Sequence, residues 1–400
     1  MPSAPSPLKG ARRVELIVIL GALTAFAPLS TDMYLPALPS IAHDFHASIG
    51  DVERTLASFF LGFALGQALF GPLADRFGRK APLIGGLAVY VAVCLLGAAT
   101  FSVPLLTGLR FVQAVSACAG AVIARACVRD LFEAAEVPRI FSVMMTVMGL
   151  APLLAPLLGG YLLLLLGWRA IFLTQAVLGL LGLLAVVLRL PESHAGPRRD
   201  LHLGTIFLDY GRIVTDRRFI GYVLAAATSA GGLFAYITAS PHVFIDLFHV
   251  PAQHFGWFFG ANAVALITGS HVSGRLLKTR RAEQVLIVAQ LGQAGAGVLL
   301  MTFATTGIGG VWGIAFGLML YVGLNGAVMP TGSGLAMRPF SLNAGMASAL
   351  LGTFQFGMAA LASIVVGALP QTSALAMASV IAACGIGGLV FNLLLSPKSD

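Results

Sequence analysis

The chain contains 400 residues, of which 58% are hydrophobic and only 10% are charged, and its mean hydropathy is +0.91. This composition excludes an assembly of ordinary soluble domains and is typical of a polytopic membrane protein. The formal net charge of +8 does not indicate nucleic-acid binding, because the lysines and arginines lie in short clusters between apolar runs, where they set membrane topology.

Apolar runs long enough to span a bilayer, about 20 residues each, recur along the whole chain. We predict twelve spans, at 14–36, 52–72, 81–100, 104–127, 139–163, 168–190, 219–243, 254–276, 283–304, 308–335, 344–368 and 372–395. The first is interpreted as an uncleaved helix, because a second run follows it closely. Residues 1–190 and 219–400 are therefore expected to form two six-helix halves, joined by a polar cytoplasmic linker at 191–218.

Asp32 lies deep in the first run, within Ser30-Thr-Asp-Met-Tyr-Leu-Pro-Ala-Leu-Pro-Ser40. A carboxylate near the middle of a bilayer costs roughly 2.5–3.5 kcal/mol on insertion scales, so a chain that keeps one there usually uses it for a proton, an ion or a charged ligand. Pro28, Pro36 and Pro39 are expected to interrupt the helix around this residue. The stretch predicts a proton-handling membrane protein.

The basic residues predict the orientation of the chain. With both termini in the cytoplasm, nearly all lysines and arginines fall on that side, whereas Arg54 and Arg169 fall on the other and Arg110 lies within a span. The four cysteines and eight histidines show no metal-ligand spacing, so neither a metal site nor a disulfide is expected. No nucleotide-binding or catalytic motif is present in the sequence, and neither a cofactor nor enzyme activity is expected.

The loop between the second and third runs reads Gly71-Pro-Leu-Ala-Asp-Arg-Phe-Gly-Arg-Lys80 and resembles the signature loop of the major facilitator superfamily. Its glycines permit a tight turn and close helix approach, and Asp75 can accept hydrogen bonds from helix amides or pair with Arg79. The resemblance implies a latch that biases the equilibrium between the inward-open and outward-open states. It would comprise Gly71, Asp75, Arg76, Gly78 and Arg79. The alternative is that these charges only set topology. A weaker copy, Gly269-Ser-His-Val-Ser-Gly-Arg-Leu-Leu-Lys278, lacks the aspartate.

Two further motifs resemble those of one group of transporters within this superfamily. Leu106-x-x-x-Arg110-x-x-Gln113 is similar to the proton-transfer motif of drug/proton antiporters, and Gly149-Leu-Ala-Pro-Leu-Leu-Ala-Pro-Leu-Leu-Gly-Gly160 resembles their antiporter motif. Alanine replaces the usual glycine in each, at Ala114 and Ala155. Together with the segments at 31–39, 168–172 and 347–355, they make the chain resemble the Bcr/CflA subfamily of bicyclomycin and chloramphenicol efflux proteins. The resemblance implies a packing seam between halves at Gly149, Pro152, Pro156, Gly159 and Gly160.

Asp32 and Arg110 are expected at the same depth, in the periplasmic half of the membrane, because their helices run in opposite directions. Opposite charges there would lower each other's burial cost, and protonation of Asp32 would release Arg110, which makes a proton switch simple. The alternative is a static ion pair. Gln113 would orient the guanidinium or touch substrate. Candidate walls for an apolar ligand are Phe26, Phe59, Phe63, Tyr236, Phe258 and Phe259. Asn262 is either an interhelical hydrogen-bonding group or a substrate contact.

The sequence thus predicts an all-α membrane protein of the major facilitator fold, with twelve transmembrane helices in two pseudo-symmetric six-helix halves. The function that the resemblance implies is proton-coupled export of small apolar antibiotics such as chloramphenicol or bicyclomycin from the bacterial cytoplasm, by a monomer in the inner membrane. Two alternatives stay open: a proton-coupled transporter of a normal metabolite, and a non-transporting sensor on the same scaffold.

Overall fold

A computed structural model of the chain describes residues 10–133, 136–193, 210–340 and 344–396. These residues form helices joined by short turns, with no strand among them. The long helices and one short helix are, in chain order, α1 Gly10–Asp32, α2 Leu38–Asp44, α3 Ile49–Phe77, α4 Lys80–Ala98, α5 Val103–Leu131, α6 Val137–Leu166, α7 Arg169–Arg189, α8 Arg217–Pro241, α9 Ala252–Leu276, α10 Ala282–Thr306, α11 Gly310–Met337, α12 Ala344–Ala368 and α13 Leu375–Leu395.

Eleven helical segments in the described ranges are long and apolar enough to cross a membrane. The remaining predicted span, 254–276, corresponds to α9, a helix of 25 residues whose polar side chains lower its hydropathy below that of the others. It nevertheless packs between α6 and α11 as a spanning helix would. The predicted all-α architecture is confirmed.

The first predicted span, 14–36, is interrupted near Pro36 and Pro39, whereas Pro28 lies within the continuous helix α1, so its predicted interruption is wrong. Helix α1 ends at Asp32, and a single 3₁₀ turn, Leu35–Ala37, leads into the short helix α2. Pro36 lies within the 3₁₀ turn and Pro39 in the first turn of α2, where neither has to donate an intrahelical hydrogen bond. The bend holds the end of α1, and with it Asp32, inside the protein.

The predicted linker at 191–218 is described only at its two ends, because residues 194–209 lie outside the described ranges. At its far end Asp216 caps α8, accepting hydrogen bonds from the backbone amides of Arg218 at 2.8 Å and Phe219 at 3.1 Å. The boundaries of the two predicted halves stay predictions, and we call α1–α7 the first half and α8–α13 the second.

The two halves pack through two helix pairs, α3 with α12 and α6 with α9. Glycines bring the backbones together: a side chain at Gly50 would collide with the carbonyl of Gly367, and one at Gly160 would lie 2.8 Å from the carbonyl oxygen of Ala252. These contacts lie at the end of the bundle where α1 stops, which we call the opposite face. The other end, which carries the loop between α3 and α4, is called the basic face.

Candidate functional site

Arg110 of α5 lies at the centre of the first half and is completely buried, with 0% of its surface exposed. Its Nη1 donates hydrogen bonds to the backbone oxygen of Ser30 at 3.0 Å and to Oε1 of Gln113 at 2.6 Å. The guanidinium carbon lies 4.4 Å from the ring centroids of both Tyr34 and Phe59. The cation is therefore held between two aromatic faces, which offset part of its desolvation cost. Its Nε and Nη2 have no hydrogen-bond partner among the described residues.

Gln113 connects Arg110 to two more helices. Its Nε2 donates to Oε1 of Gln175 in α7 at 2.8 Å and to the sulfur of Cys94 in α4 at 3.1 Å. The side chain of Gln113 thus orients the guanidinium, which is one of the two roles expected from its spacing. We call Ser30, Arg110, Gln113 and Gln175 the arginine cluster, and it joins α1, α5 and α7.

Asp32 is buried, with 4% of its surface exposed, but it does not pair with Arg110. The expected ion pair is wrong for this conformation, and helix geometry gives the reason. The hydroxyl of Ser30 lies 2.6 Å from that of Tyr90 in α4, and two residues turn about 200° along a helix, so Asp32 points away from this side. Arg110 contacts α1 through the carbonyl of Ser30 instead. Within the described ranges, the Asp32 carboxylate has neither a hydrogen bond nor an ion-pair partner.

The turn that follows Asp32, Leu35–Ala37, packs against α8 and α9 of the second half, which carry Tyr236 and Asn262. The Tyr236 hydroxyl accepts a hydrogen bond from Nδ2 of Asn262 at 3.1 Å, and its ring stacks on that of Phe259 at 5.5 Å. Nδ2 of Asn262 also donates to the carbonyl of Phe258 at 3.0 Å, whereas its Oδ1 is buried without a partner in the described part of the chain. We call Asp32, at the end of α1 beside this turn, together with Tyr236 and Asn262 the polar site at the boundary between the halves.

Aromatic side chains line the same boundary. Phe63 of α3 packs on Phe356 of α12 at 4.4 Å, and Phe60 of α3 packs on Phe234 of α8 at 4.8 Å. Of the predicted wall residues, Phe59 and Phe63 belong to this set, since their rings stack at 6.5 Å. Phe60, Phe234 and Phe356 were not predicted, although the positions of Phe59, Phe60 and Phe63 place three rings within two turns of α3.

Phe26 does not lie at this boundary. Its ring meets Tyr90 of α4 edge to face at 5.3 Å, and it occupies the space beside Gly182 of α7. Phe26 is thus a packing residue of the first half, and its predicted place in the wall of a ligand site is wrong for this conformation.

The loop at the basic face forms an ion network around Arg79. Its Nη1 contacts Oδ1 of Asp75 at 2.6 Å, and its Nε contacts Oδ2 of Asp130, at the end of α5, at 2.9 Å. Burial of the guanidinium opposes its charge, but the bonds to Asp130 and Asp75 outweigh burial and raise the pKa of Arg79. Arg79 therefore stays charged at any physiological pH, and only protonation of its carboxylate partners can weaken the network.

The backbone amides at the start of α4 are capped by Glu192, and not by Asp75, which the sequence offered as a candidate for this role. Its carboxylate accepts hydrogen bonds from the backbone amides of Arg79 at 2.9 Å and Lys80 at 3.1 Å, at the start of α4. Gly78 has φ +85°, and a side chain there would lie 2.7 Å from the Glu192 carboxylate. The sequence indicated neither Glu192 nor Asp130, because each reaches the loop from a distant part of the chain.

Two residues of the predicted latch lie outside this network. Arg76 is exposed, with its guanidinium 5.2 Å from the ring of Phe77. Gly71 lies within α3, and a side chain there would meet open space, so the close approach expected of both glycines holds only for Gly78.

Helix α6 carries the predicted seam and lies along α9. Gly160 faces the carbonyl of Ala252, and a side chain at Gly159 would collide with the carbonyl of Met33. A side chain at Gly149 would make only ordinary contact with Ile267, at 3.7 Å. Pro152 and Pro156 lie within the continuous helix. The small residues thus bring α6 against α9 of the second half and against the chain that leaves α1.

The family model described as the Major Facilitator Superfamily matches residues 20–363. The chain belongs to this superfamily. It is 34% identical over 384 residues to a bicyclomycin resistance protein homolog of Haemophilus influenzae, covering 96% of each chain. It is 29% identical over 372 residues to a chloramphenicol resistance protein of Pseudomonas aeruginosa, covering 90% of this chain and 85% of that one. These names agree with the predicted subfamily.

Solved structures show the same fold. A D-xylose-proton symporter superposes with a TM-score of 0.78 at 16% identity, over 97% of this chain and 99% of that one. The inward-open xylose transporter XylE of E. coli superposes with a TM-score of 0.76 at 17% identity, over 97% of each chain. The predicted family and fold are confirmed, and the protein is a multi-pass membrane transporter rather than an enzyme.

Proposed function

We propose that the protein exports small, neutral, largely apolar antibiotics such as chloramphenicol or bicyclomycin in exchange for protons. The observation that carries this proposal is Asp32, a buried carboxylate without a partner in the described ranges, at the end of α1 where the following turn packs against the second half. The names of the relatives support drug resistance as the outcome of transport. The protein acts as a monomer in the bacterial inner membrane, with both termini and the basic face in the cytoplasm.

Asp32 is the proton-coupling group in this proposal. Holding an ionised carboxylate in a buried site without a counter-ion costs several kcal/mol, so the site favours either a proton on Asp32 or a ligand that hydrogen-bonds to it. In the outward-open state Asp32 takes a proton from the periplasm and drug binding weakens. In the inward-open state drug binding displaces the proton to the cytoplasm. Each cycle therefore exchanges drug for proton.

In this mechanism Arg110 transmits the change of charge at Asp32 to the other helices, although the two residues do not pair. Its Nη1 holds the carbonyl of Ser30, two residues before Asp32, so the end of α1 is fixed to α5. A change of charge at Asp32 alters the field at a buried cation that has two unpartnered nitrogens. The loop network around Arg79 then biases which face is open, as the resemblance of this loop implies.

The chemistry of the boundary supports a neutral drug. The rings of Phe59, Phe60 and Phe63 offer an apolar wall, and the oxygens of Asp32 and Asn262 offer acceptors for a hydroxyl or amide N–H of the ligand. Asp32 is the only carboxylate at this polar site among the described residues, so a dication would be poorly compensated. Small antibiotics with hydroxyl and amide groups fit this arrangement.

The test compares wild type with Asp32→Asn in cells without their own efflux pumps, measuring accumulation of chloramphenicol and bicyclomycin with and without a protonophore. Wild type is expected to lower accumulation only while the proton gradient exists, and Asp32→Asn to abolish this at equal membrane expression. Asp51→Asn, which removes a half-exposed carboxylate paired with Arg54, is the control. Export by Asp32→Asn at the wild-type level would contradict the proposal. Absence of export of either drug by wild type would favour a metabolite as substrate.

A further inference from the structure

A second buried carboxylate lies between the halves, at the opposite face. Glu53, in the second turn of α3, has 0% of its surface exposed. Its Oε1 has no partner among the described residues, and its Oε2 has a single long contact of 3.4 Å to Nε2 of Gln371. A side chain at Gly367 of α12 would lie 3.4 Å from its Oε2, so the glycine lets α12 approach the carboxylate. The mechanism above gives Glu53 no role.

The groups around Glu53 come from the second half. His242, at the end of α8, places Nε2 2.8 Å from the backbone oxygen of Gln371 and Nδ1 2.8 Å from Oδ2 of Asp246. A carbonyl oxygen only accepts, and an ionised carboxylate only accepts, so both ring nitrogens carry hydrogen and the imidazole is positively charged. Asp246 neutralises that charge directly. An ionised Glu53 would therefore be left without its own counter-ion, although His242 acts on it electrostatically.

No other charged group compensates Glu53. The remaining charged side chains on the elements packed around it form their own pairs: Asp51 with Arg54 in α3, Asp44 of α2 with Arg169, and Arg110 of α5 with the arginine cluster. His43 of α2 is exposed, and α12 has no charged residue. In the described part of the chain, Glu53 thus has apolar and amide groups in contact and no ion-pair partner of its own, and His242, neutralised by Asp246, is the one charge near it.

We infer that Glu53 is a second proton-binding site, which takes up a proton each time the halves close over it at the opposite face. When the halves separate there, water reaches Glu53 and the carboxylate ionises. Closing removes that water and replaces it with Gly367, Gln371 and apolar neighbours, which favour the neutral acid. Closing therefore consumes a proton from the medium at this face. Acidification favours the closed state, and a rise in pH opposes it.

The inference deepens the proposed function and rests on its orientation, in which the opposite face is periplasmic. The periplasm is the acidic side of an energised membrane, so protons there would favour closure of the outer face after drug release. The proton that Glu53 takes from the periplasm on closing returns there when the outer face reopens, so it does not cross the membrane. Periplasmic pH therefore sets the closing equilibrium at Glu53, while the gradient drives exchange at Asp32.

The experiment measures the separation of the halves directly. Spin labels are placed at His43→Cys in the first half and Thr306→Cys in the second, which are both exposed at the opposite face, while the four native cysteines are buried. Distance distributions of the full chain in lipid nanodiscs are recorded as the pH is varied. For one proton taken up, the ratio of closed to open molecules is expected to fall by up to about tenfold per pH unit as the pH rises.

Glu53→Gln is expected to stay closed at high pH and to lose this response, whereas Asp51→Asn, two residues away and half-exposed, keeps it. A wild-type response in Glu53→Gln overturns the inference. His242→Gln provides an independent test if Glu53→Gln does not fold. Removing the nearby positive charge favours the neutral acid, so the midpoint of closing shifts to higher pH, and an unchanged midpoint overturns the inference.

Asp32→Asn separates this test from the test of export. The label distances require neither a drug nor transport, so a pH response that depends on Glu53 and persists in Asp32→Asn supports the inference even if no drug is exported. Loss of the response in Asp32→Asn with Glu53 intact would overturn it, because the titrating group would then be Asp32.

Discussion

In each half of the molecule, a backbone carbonyl of the first spanning helix accepts hydrogen bonds from the fourth. In the first half Arg110 of α5 donates to Ser30 of α1. In the second half the hydroxyl of Tyr321 and Nδ2 of Asn325, both in α11, donate to Ser229 of α8 at 3.0 and 2.9 Å. The anchoring is alike, but the first half uses a buried cation and the second uses neutral groups.

The loops at the basic face repeat this difference. In the first half Asp75 pairs with Arg79, which also binds Asp130. In the second half the aligned position is Ser273, whose hydroxyl lies 3.1 Å from that of Thr331. Charged networks respond to protonation and to local water access, whereas hydroxyl and amide bonds do not. The proposed mechanism therefore assigns the proton response to these groups of the first half, whose counterparts at the same places in the second half are neutral.

The largest expected effect comes from making the first half resemble the second. Arg110→Gln replaces the buried cation by a neutral amide and removes the field that links Asp32 to α5. Coupling energies of 1–3 kcal/mol correspond to about 5- to 150-fold, and we expect proton-driven export to fall by a factor in this range. Drug accumulation at equal membrane expression measures it. Arg110→Lys, which keeps the charge, is expected to retain part of the activity, and full activity in Arg110→Gln would contradict the account.

A smaller effect is expected at the corresponding place in the second half. Asn325→Leu removes one of the two hydrogen bonds to the Ser229 carbonyl, which keeps its bond from Tyr321. Loss of one such bond costs about 1 kcal/mol of unfolding free energy. The unfolding temperature should fall, while the dependence of export on the proton gradient stays as in wild type. If Asn325→Leu abolished the proton dependence, the assignment of coupling to the first half would be wrong.

Alanine substitutions at two glycines of the first-half loop are expected to change the stability of the protein in opposite directions. Gly78→Ala forces a side chain into a backbone conformation with φ +85° and against Glu192, which costs about 1–3 kcal/mol. Gly71→Ala lies within α3 with open space beside it, so it should leave stability unchanged or raise it by up to about 1 kcal/mol. Thermal unfolding in detergent compares the two. Equal destabilisation by both variants would contradict the conformation and contacts described here for Gly78 and Gly71.

The smallest effect is expected at Arg76, which is exposed and lies outside the ion network. Arg76→Ala should change the unfolding free energy by less than about 0.5 kcal/mol, as surface substitutions usually do. Arg79→Ala, which leaves Asp75 and Asp130 without their shared partner, should lower the unfolding temperature clearly. A similar loss of unfolding temperature in both variants would show that Arg76 contributes to the latch.

Local patterns predicted what depends on neighbours along the chain. The prolines predicted the end of α1 at Asp32, and helical spacing predicted that Gln113 would orient Arg110. The pairing of Asp32 with Arg110 was predicted from depth alone, and it failed because the angle around α1 turns the carboxylate away from Arg110. Depth along a helix axis is readable from sequence, whereas rotation about a bent helix is not.

The sequence could not predict contacts between residues that lie far apart along the chain. Glu53 begins the second apolar run and looks solvated there, but the close approach of Gly50 to Gly367 buries it. Asp130 and Glu192 reach Arg79 from two other parts of the chain in the same way. The glycines themselves are visible in the sequence, yet nothing local states which backbone each one meets.

The most direct test of proton coupling through Asp32 is proton release from purified protein on addition of drug, in weakly buffered detergent solution with a pH-sensitive dye. The account predicts that chloramphenicol or bicyclomycin releases protons from wild type, and that Asp32→Asn releases none while the control Asp51→Asn behaves as wild type. Release of the same number of protons by Asp32→Asn, or drug binding to wild type with no proton release, would contradict it.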